Sequence, residues 1–505
     1  MRKLFGRARE KDNGAAMVLV ALSMVLLLGM AAFGSDLAWF YLNASRVQRA
    51  ADAAALSGVV WLPANTGTAN STALETSLQN GYNDADADVV VSSGAVTGEP
   101  NQLEVSVRDV VPTFFLGALG FDTMTIERSA IAEYIPPLKL GSPAGQFGNS
   151  CDPTQAGCTG QANFWANIHG WFTDTTMGDA YTSHCVGSSD VPTCTANPIA
   201  RPGGYLYGIE RGTGSFTIQG LDLRFFNTSG SNPTSDTIRT GDRGCEDWTP
   251  STALTCGPTM VVRLYAPDPT PLDLSDNAAP LCTATLNPAG QVLPAAAYTW
   301  ATPSTGAAAG SSPSSCWTRS GTGIYVLQIA VLNPGNTVDR AGLNRYSVRA
   351  NNNGAKLFAL GDFSIYNNAS GTTTSFYLAE VPTYYHGKTF VVELYDAGES
   401  ANNGILAVVD PSTNVFNDGQ CRIYSRNNPS VPWNLQSTIP SGSNCQETVT
   451  PGEYNGRWLK FEMDLPPAYS CSNCWWKMSY AYPSGVNDTT TWRAYMIGNP
   501  IHLID

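Results

Sequence analysis

An uncharged apolar run of 19 residues, Ala15–Phe33, follows a basic tip holding Arg2, Lys3, Arg7, Arg9 and Lys11. A helix of that length and character crosses the hydrocarbon core of a bilayer. Cations gather on the cytoplasmic side of such helices, so residues 1–14 are expected inside the cell. Trp39, Phe40 and Tyr41 follow the run and suit the opposite interface, where rings with a polar edge settle. More than 440 residues then lie beyond the membrane, and their chemistry is read as extracellular.

Two other readings of this start compete with a retained anchor. Ala32-Phe33-Gly34 is a small-x-small site of the kind a signal peptidase cleaves. Against cleavage, the run is longer than a signal core, and helix-compatible sequence continues to Leu62, where Pro63 stops it. A prepilin-type leader needs a glycine before the run and usually a glutamate five residues on. Gly14 is in place, but the fifth residue after it is Leu19.

The second half of the helix carries its own stripe. Phe40, Ala44, Val47, Ala51, Ala54, Gly58 and Trp61 recur at alternating spacings of four and three, a period of 3.5. Most are small, which lets another backbone approach closely. The stripe suits packing on the protein's own first domain or on neighbouring subunits, and the two are compatible. A continuous helix from Ala15 to Leu62 would run roughly 70 Å, enough to leave the bilayer.

A basic start, Asn13-Gly-Ala-Ala, an apolar run, an aspartate, an aromatic cluster and then Gln48-Arg-Ala-Ala-Asp-Ala-Ala-Ala-Leu-Ser-Gly58 resemble the N-terminal segment of TadG-like proteins. These belong to the bacterial tight-adherence (Flp) pilus-assembly system. The likeness is strongest over residues 10 to 60. It implies a membrane-anchored surface component whose partners are other pilus-assembly or pilin-like proteins. Many such proteins also hold a von Willebrand A domain with a DxSxS metal motif. This chain offers only Asp273-Leu-Ser-Asp-Asn277, with no long apolar strand leading into it, so that adhesion site is expected to be absent.

The formal charge is −13 and the isoelectric point near 4.8, which argues against a nucleic-acid partner. Charged residues make up only 14%, as in turn-rich secreted β proteins. Twelve cysteines, an even number, lie beyond the membrane run, where disulfides form. Their order suggests local pairs: Cys151–Cys158, Cys185–Cys194, Cys245–Cys256, Cys282–Cys316, Cys421–Cys445 and Cys471–Cys474.

The fold expected is mixed: a long N-terminal transmembrane α-helix, a small α+β pilin-like domain, then two disulfide-bonded all-β sandwiches. The divisions fall at 1–14 (cytoplasmic tip), 15–62 (helix), 63–135 (α+β domain), 136–150 (linker), 151–350 (first sandwich) and 351–505 (second sandwich). In the small domain Thr72–Tyr82 reads as helix, and Val89–Ser92, Leu103–Val110 and Thr123–Tyr134 read as strands. Pro112-Thr-Phe-Phe-Leu-Gly117 reads as the opening of a short apolar helix. Pro136-Pro137 and Gly141-Ser-Pro-Ala-Gly145 mark the linker, and Asn351-Asn-Asn-Gly354 a hinge. Strand-like runs such as Tyr205–Ile209, Thr259–Tyr265, Gly323–Val331, Thr389–Tyr395 and Trp475–Tyr482 alternate with polar, proline-rich turns. Ser215–Gln219, Val262–Asp273 with Asp276-Asn277, and Gly323–Ile329 leading to Tyr346–Arg349 resemble bacterial pre-peptidase C-terminal-like modules, which are accessory and not catalytic.

No constellation points to catalysis. His169, His184, His386 and His502 are not paired at metal-binding spacing, and neither HExxH nor GxSxG occurs. His184-Cys185 reads as half a disulfide beside an incidental histidine, and Cys471-Ser-Asn-Cys474 as a tight structural disulfide. Asp84, Asp86 and Asp88 alternate like calcium ligands but lack the glycine and closing glutamate of an EF-hand. Asp268, Asp273, Asp276 and Asn277 crowd one loop and are calcium candidates, set against ordinary turn chemistry. The aromatics around Phe164-Trp165, Trp171-Phe172, Tyr384-Tyr385 and Trp475-Trp476 suit a core before they suit a sugar face. The reading is a non-enzymatic, cofactor-free anchored component of pilus assembly or adhesion. Its competitor is a carbohydrate- or calcium-dependent adhesin that contacts host or surface glycans, with a surface hydrolase behind it.

Overall fold

The computed structural model describes residues 13–151, 158, 164–171, 173–182, 197–212, 214–225, 235–236, 242–244, 258–268, 271–288, 299–332, 342–351, 354–369, 373–399, 402–483 and 485–504. They form two compact units, Met1–Pro136 with Gly498–Asp505, and Pro137–Ile497. In chain order, the second unit is an insertion into the first.

The first unit begins with α1 (Asn13–Val59), a single helix of 47 residues. Its halves differ in environment. Ala16–Ala31 are exposed throughout, whereas Ala44, Val47, Ala51, Ala54 and Val59 are buried. The helix ends short of Pro63, which cannot supply a helical N–H. The second helix, α2 (Thr66–Gln79), starts earlier than the apolar periodicity suggests. Asn65 sets the start: its side chain accepts from the Thr68 N–H at 3.0 Å.

Three strands follow: β1 (Val89–Val96), β2 (Glu99–Pro112) and β3 (Thr123–Tyr134). They pair antiparallel in that order, and the C-terminal strand Ile501–Ile504 adds to the far edge of β3. That return was not expected, because four residues are too few to show a period. The alternation of β2 puts Leu103, Val105 and Val107 on one face, where they meet Val47, Ala51 and Ala54 of α1 in one apolar core.

The second unit is β-rich. Among its described residues one sheet has ten strands and another thirteen. The ten-stranded sheet runs Cys282–Leu286, Met260–Tyr265, Ile324–Val331, Tyr205–Glu210, Lys356–Ala359, Lys139–Leu140, Thr373–Glu380, Trp475–Ala481, Gly404–Val409, Gln446–Val449. Large side chains such as Trp165, Trp317, Trp458, Trp476 and Trp492 are fully buried, with Phe363 and Trp492 at 4.2 Å and Phe390 and Trp476 at 5.1 Å between ring centres.

Two expected boundaries differ from this arrangement. Both sheets run through position 351: Phe164–His169 pairs with Asp362–Ala369, and Tyr205–Glu210 pairs with Lys356–Ala359. Neighbours so distant in sequence leave no local pattern. The stretch 136–150, expected as linker, carries Lys139–Leu140, which bridges Lys356–Ala359 to Thr373–Glu380, and Gln146–Phe147, which pairs with Gly342–Asn351. Leu140 and Phe147 are buried, so this segment is part of the body.

Four of the six cysteine pairs are bonded as expected: Cys151–Cys158, Cys282–Cys316, Cys421–Cys445 and Cys471–Cys474. Cys185–Cys194 and Cys245–Cys256 lie outside the described residues, as does His184.

Candidate functional site

The exposed and buried halves of α1 meet at Asp36. This carboxylate is almost fully buried at 1% exposure, although Leu37 and Ala38 beside it are open. Its partners come from the loop between β2 and β3. Oδ1 accepts from the Phe114 N–H at 2.8 Å, and Oδ2 accepts from Phe115 at 2.9 Å and Leu116 at 2.7 Å. Those amides open the 3₁₀ turn Leu116–Leu119, which Gly120 closes in the left-handed conformation. The expected apolar helix is therefore one short turn. Trp39 meets the Phe114 ring edge-on at 5.4 Å. Asp36 thus ties α1 to a loop some 80 residues further on.

Above this foot the predicted stripe faces the first unit itself. Ala44, Val47, Ala51, Ala54 and Gly58 are buried, Phe40 packs against the same core, and Trp61 is exposed. Gly58 explains why small residues were needed. A Cβ there would lie 2.5 Å from Leu103 Cδ2 and 2.7 Å from the Ala69 carbonyl oxygen of α2. Off the stripe, Gln48 donates to Asp52 at 2.8 Å and to the Ser129 carbonyl of β3 at 3.2 Å.

Residues 14–64 match the family model Tad, described as Flp pilus-assembly TadE/G-like. Over those residues the chain is similar to the Tad family. The match spans the exposed apolar half of α1, Asp36 and the whole small-residue stripe, and stops at the turn before α2. No curated protein matches the chain. Among solved structures, the N-terminal CBM22-1–CBM22-2 tandem domain from Paenibacillus barcinonensis Xyn10C is similar at 8% identity, over 82% of this chain and 92% of that one. The TM-score is 0.15, too low to transfer a fold.

Outside the Tad segment the remaining candidates are dispersed. Asp273 accepts from Ser275, backbone at 2.8 Å and hydroxyl at 2.6 Å, so it closes its own turn. Asp84 accepts from the Val91 N–H at 2.7 Å at the start of β1. Among the described residues no three His, Cys, Asp or Glu side chains converge as metal ligands. Of the predicted aromatics, Trp165, Trp171, Tyr385, Trp475 and Trp476 are buried.

His169 is buried in the second unit, and burial with Arg345 alongside holds its imidazole well below the usual range. It lines a 20 Å³ void with Asp179, Tyr205 and Arg201, room for about one water. Asp179 there accepts from the Tyr205 hydroxyl at 2.6 Å and from the His169 N–H at 3.0 Å. Arg201 pairs with Asp362 at 2.5 Å and lies over the Tyr181 ring at 3.7 Å. The network ties Asp179, Tyr205, Arg201 and Asp362 together but gives neither ring nitrogen of His169 a hydrogen-bond partner among the described residues, and a void for one water has no space for a substrate.

Sequence reasoning did not find the loop Thr113–Asp122 as a partner of the helix foot. The available signal was Asp36, a carboxylate directly behind an apolar run with no cation within helical reach at Ala32, Phe33, Trp39 or Phe40.

Proposed function

We propose that this protein is a single-pass, membrane-anchored component of Flp pilus assembly that works through anchoring and protein–protein contact, without catalysis. The observation that carries the reading is the coincidence of the Tad match with a helix of two environments. From Ala16 to Ala31 it is apolar and exposed; from Ala44 to Val59 it is built into a folded unit. An exposed apolar stretch of that length is stable in lipid and unfavourable in water. The basic tip favours a cytoplasmic N-terminus, with the two folded units outside. The partners are other pilus-assembly or pilin-like proteins.

The test is fractionation of the producing cells, with mass spectrometry of the N-terminus and a pilus count in a strain lacking the protein. A membrane-bound chain that retains residues ahead of Ala15, and loss of pili without it, is the expected result. Cleavage near Gly34 with release into the medium would sink the anchor. Unchanged piliation would remove the assembly role.

A further inference from the structure

We propose that the loop Thr113–Asp122 is a second membrane contact, inserted among phospholipids beside α1 on the side of the folded units. The proposal rests on the reading of α1 as the anchor. From Thr113 to Phe121 the loop, TFFLGALGF, has no charge. Phe114, Phe115, Leu119 and Phe121 are exposed by 62, 52, 75 and 63%, which in water would be a costly cluster of large apolar groups.

Position decides the occupant. Phe115 and Leu119 share a cleft of about 540 Å³ with Leu28, Ala32 and Phe33 of α1. Those helix residues belong to the apolar run itself. From Phe33 back to Leu28 the helix runs roughly 7.5 Å at 1.5 Å per residue. The loop therefore reaches the depth, about 5–10 Å, at which apolar faces of interfacial segments rest. The cleft is open to whatever surrounds α1 at that level, which is acyl chain if α1 spans.

The loop backbone is also suited to a water-poor setting, where an unpaired amide is costly. Asp36 takes the N–H groups of Phe114, Phe115 and Leu116. The N–H groups of Thr113, Ala118, Gly120 and Phe121 go to the carbonyls of Asp122, Phe115, Gly117 and Leu116. The Thr113 hydroxyl donates to the Phe121 carbonyl at 2.6 Å.

The experiment uses the full chain in phosphatidylethanolamine–phosphatidylglycerol vesicles, with an environment-sensitive fluorophore on one introduced cysteine. Leu119→Cys reports the loop and Leu26→Cys the anchor. Thr97→Cys reports the turn between β1 and β2, at the opposite end of the sheet. Unsubstituted protein is the blank, and Phe121→Cys replaces Leu119→Cys if the latter does not fold. Quenching is read with iodide in the water and with lipids carrying a shallow or a deep nitroxide. The expected result is loss of iodide quenching at 119, with quenching there by the shallow nitroxide, while 97 shows the reverse. Iodide quenching at 119 equal to that at 97, with 26 quenched by lipid, overturns the loop proposal and leaves the anchor standing. Protection of 119 from both quenchers means that protein, here a second copy of the chain, covers the loop, and also overturns it. Failure of lipid quenching at 26 removes the anchor reading, and the loop proposal with it.

Discussion

Gly58 and Asp36 do opposite jobs on one helix. Gly58 lets α2 and β2 close on α1. Replacing a helical glycine by alanine contributes about 1 kcal/mol in propensity. Here the added carbon would meet a backbone oxygen at 2.7 Å as well as Leu103. The oxygen belongs to a helix and cannot swing away, so overpacking of ~1–3 kcal/mol should win. Gly58→Ala is therefore expected to lower the stability of the first unit, read as faster amide exchange over 66–79 in the full chain. A neutral or stabilised variant would mean that α2 does not press on Gly58. Asp36 instead supplies two acceptor oxygens to three amides. Asparagine keeps one oxygen, and alanine keeps none. Exchange at Phe114–Leu116 should rise from wild type to Asp36→Asn to Asp36→Ala, with ~1–3 kcal/mol for each buried amide left unpaired. Equal protection in all three proteins would contradict the tie.

Among the elements, two disulfides link one sheet of the second unit to the other. Cys421 lies in Cys421–Arg426 of the thirteen-stranded sheet, and Cys445 precedes Gln446–Val449 of the ten-stranded one. Cys282 begins a strand of the ten-stranded sheet, and Cys316 precedes Thr318–Arg319 of the other. Cys421 and Cys445 are 24 residues apart; Cys471 and Cys474 are 3 apart. In the chain-entropy model these closures contribute about 3.5 and about 2 kcal/mol. Denaturant unfolding of the C421A/C445A and C471A/C474A proteins should show the larger loss in the former; the reverse order would contradict this account. Local pairs of this kind are legible in a sequence, because cysteine order alone suggests them. So is Thr123–Tyr134, a full-length alternating strand, and so is α1, whose apolar run and small-residue stripe are both periodic. Asn434–Ile439 was not legible: it is polar, mostly exposed and at the end of its sheet, so burial imposes no period. Lys139–Leu140 is too short to carry one. The tie from Asp36 joins a carboxylate to the three backbone amides of Phe114–Leu116, and amides have no signature in the side-chain sequence.

At the scale of the whole molecule, pH should act through carboxylates that the second unit buries. Burial pushes Asp488 up to about 7, although the Gly398 N–H and the Thr490 hydroxyl donate to it. Burial likewise pushes Asp179 up to about 6, against hydrogen bonds from Tyr205 and from the Tyr181 and His169 amides. In the unfolded chain both would titrate near 3.8. Between those values the folded protein binds more protons than the unfolded one, so stability falls as pH rises from about 4 to about 7. For Asp488 the full change is roughly 4 kcal/mol, at 1.36 kcal/mol per unit. The net charge of −13 acts in the same direction, because self-repulsion grows as carboxylates ionise. The opposing groups lie lower. Asp464 is held down by Arg422. Glu462 is held down by Lys460 and Arg422 despite its own desolvation. Their contribution is lost only as pH falls through their folded-state values, below the usual carboxylate range. The melting temperature of the second unit should therefore be higher at pH 5 than at pH 8. Asp488→Asn, which cannot ionise, should shrink that difference by raising stability at pH 8 far more than at pH 5. An unchanged slope in that variant would mean that Asp488 carries no proton in the folded state near neutrality, and that the pH dependence belongs to surface charge alone.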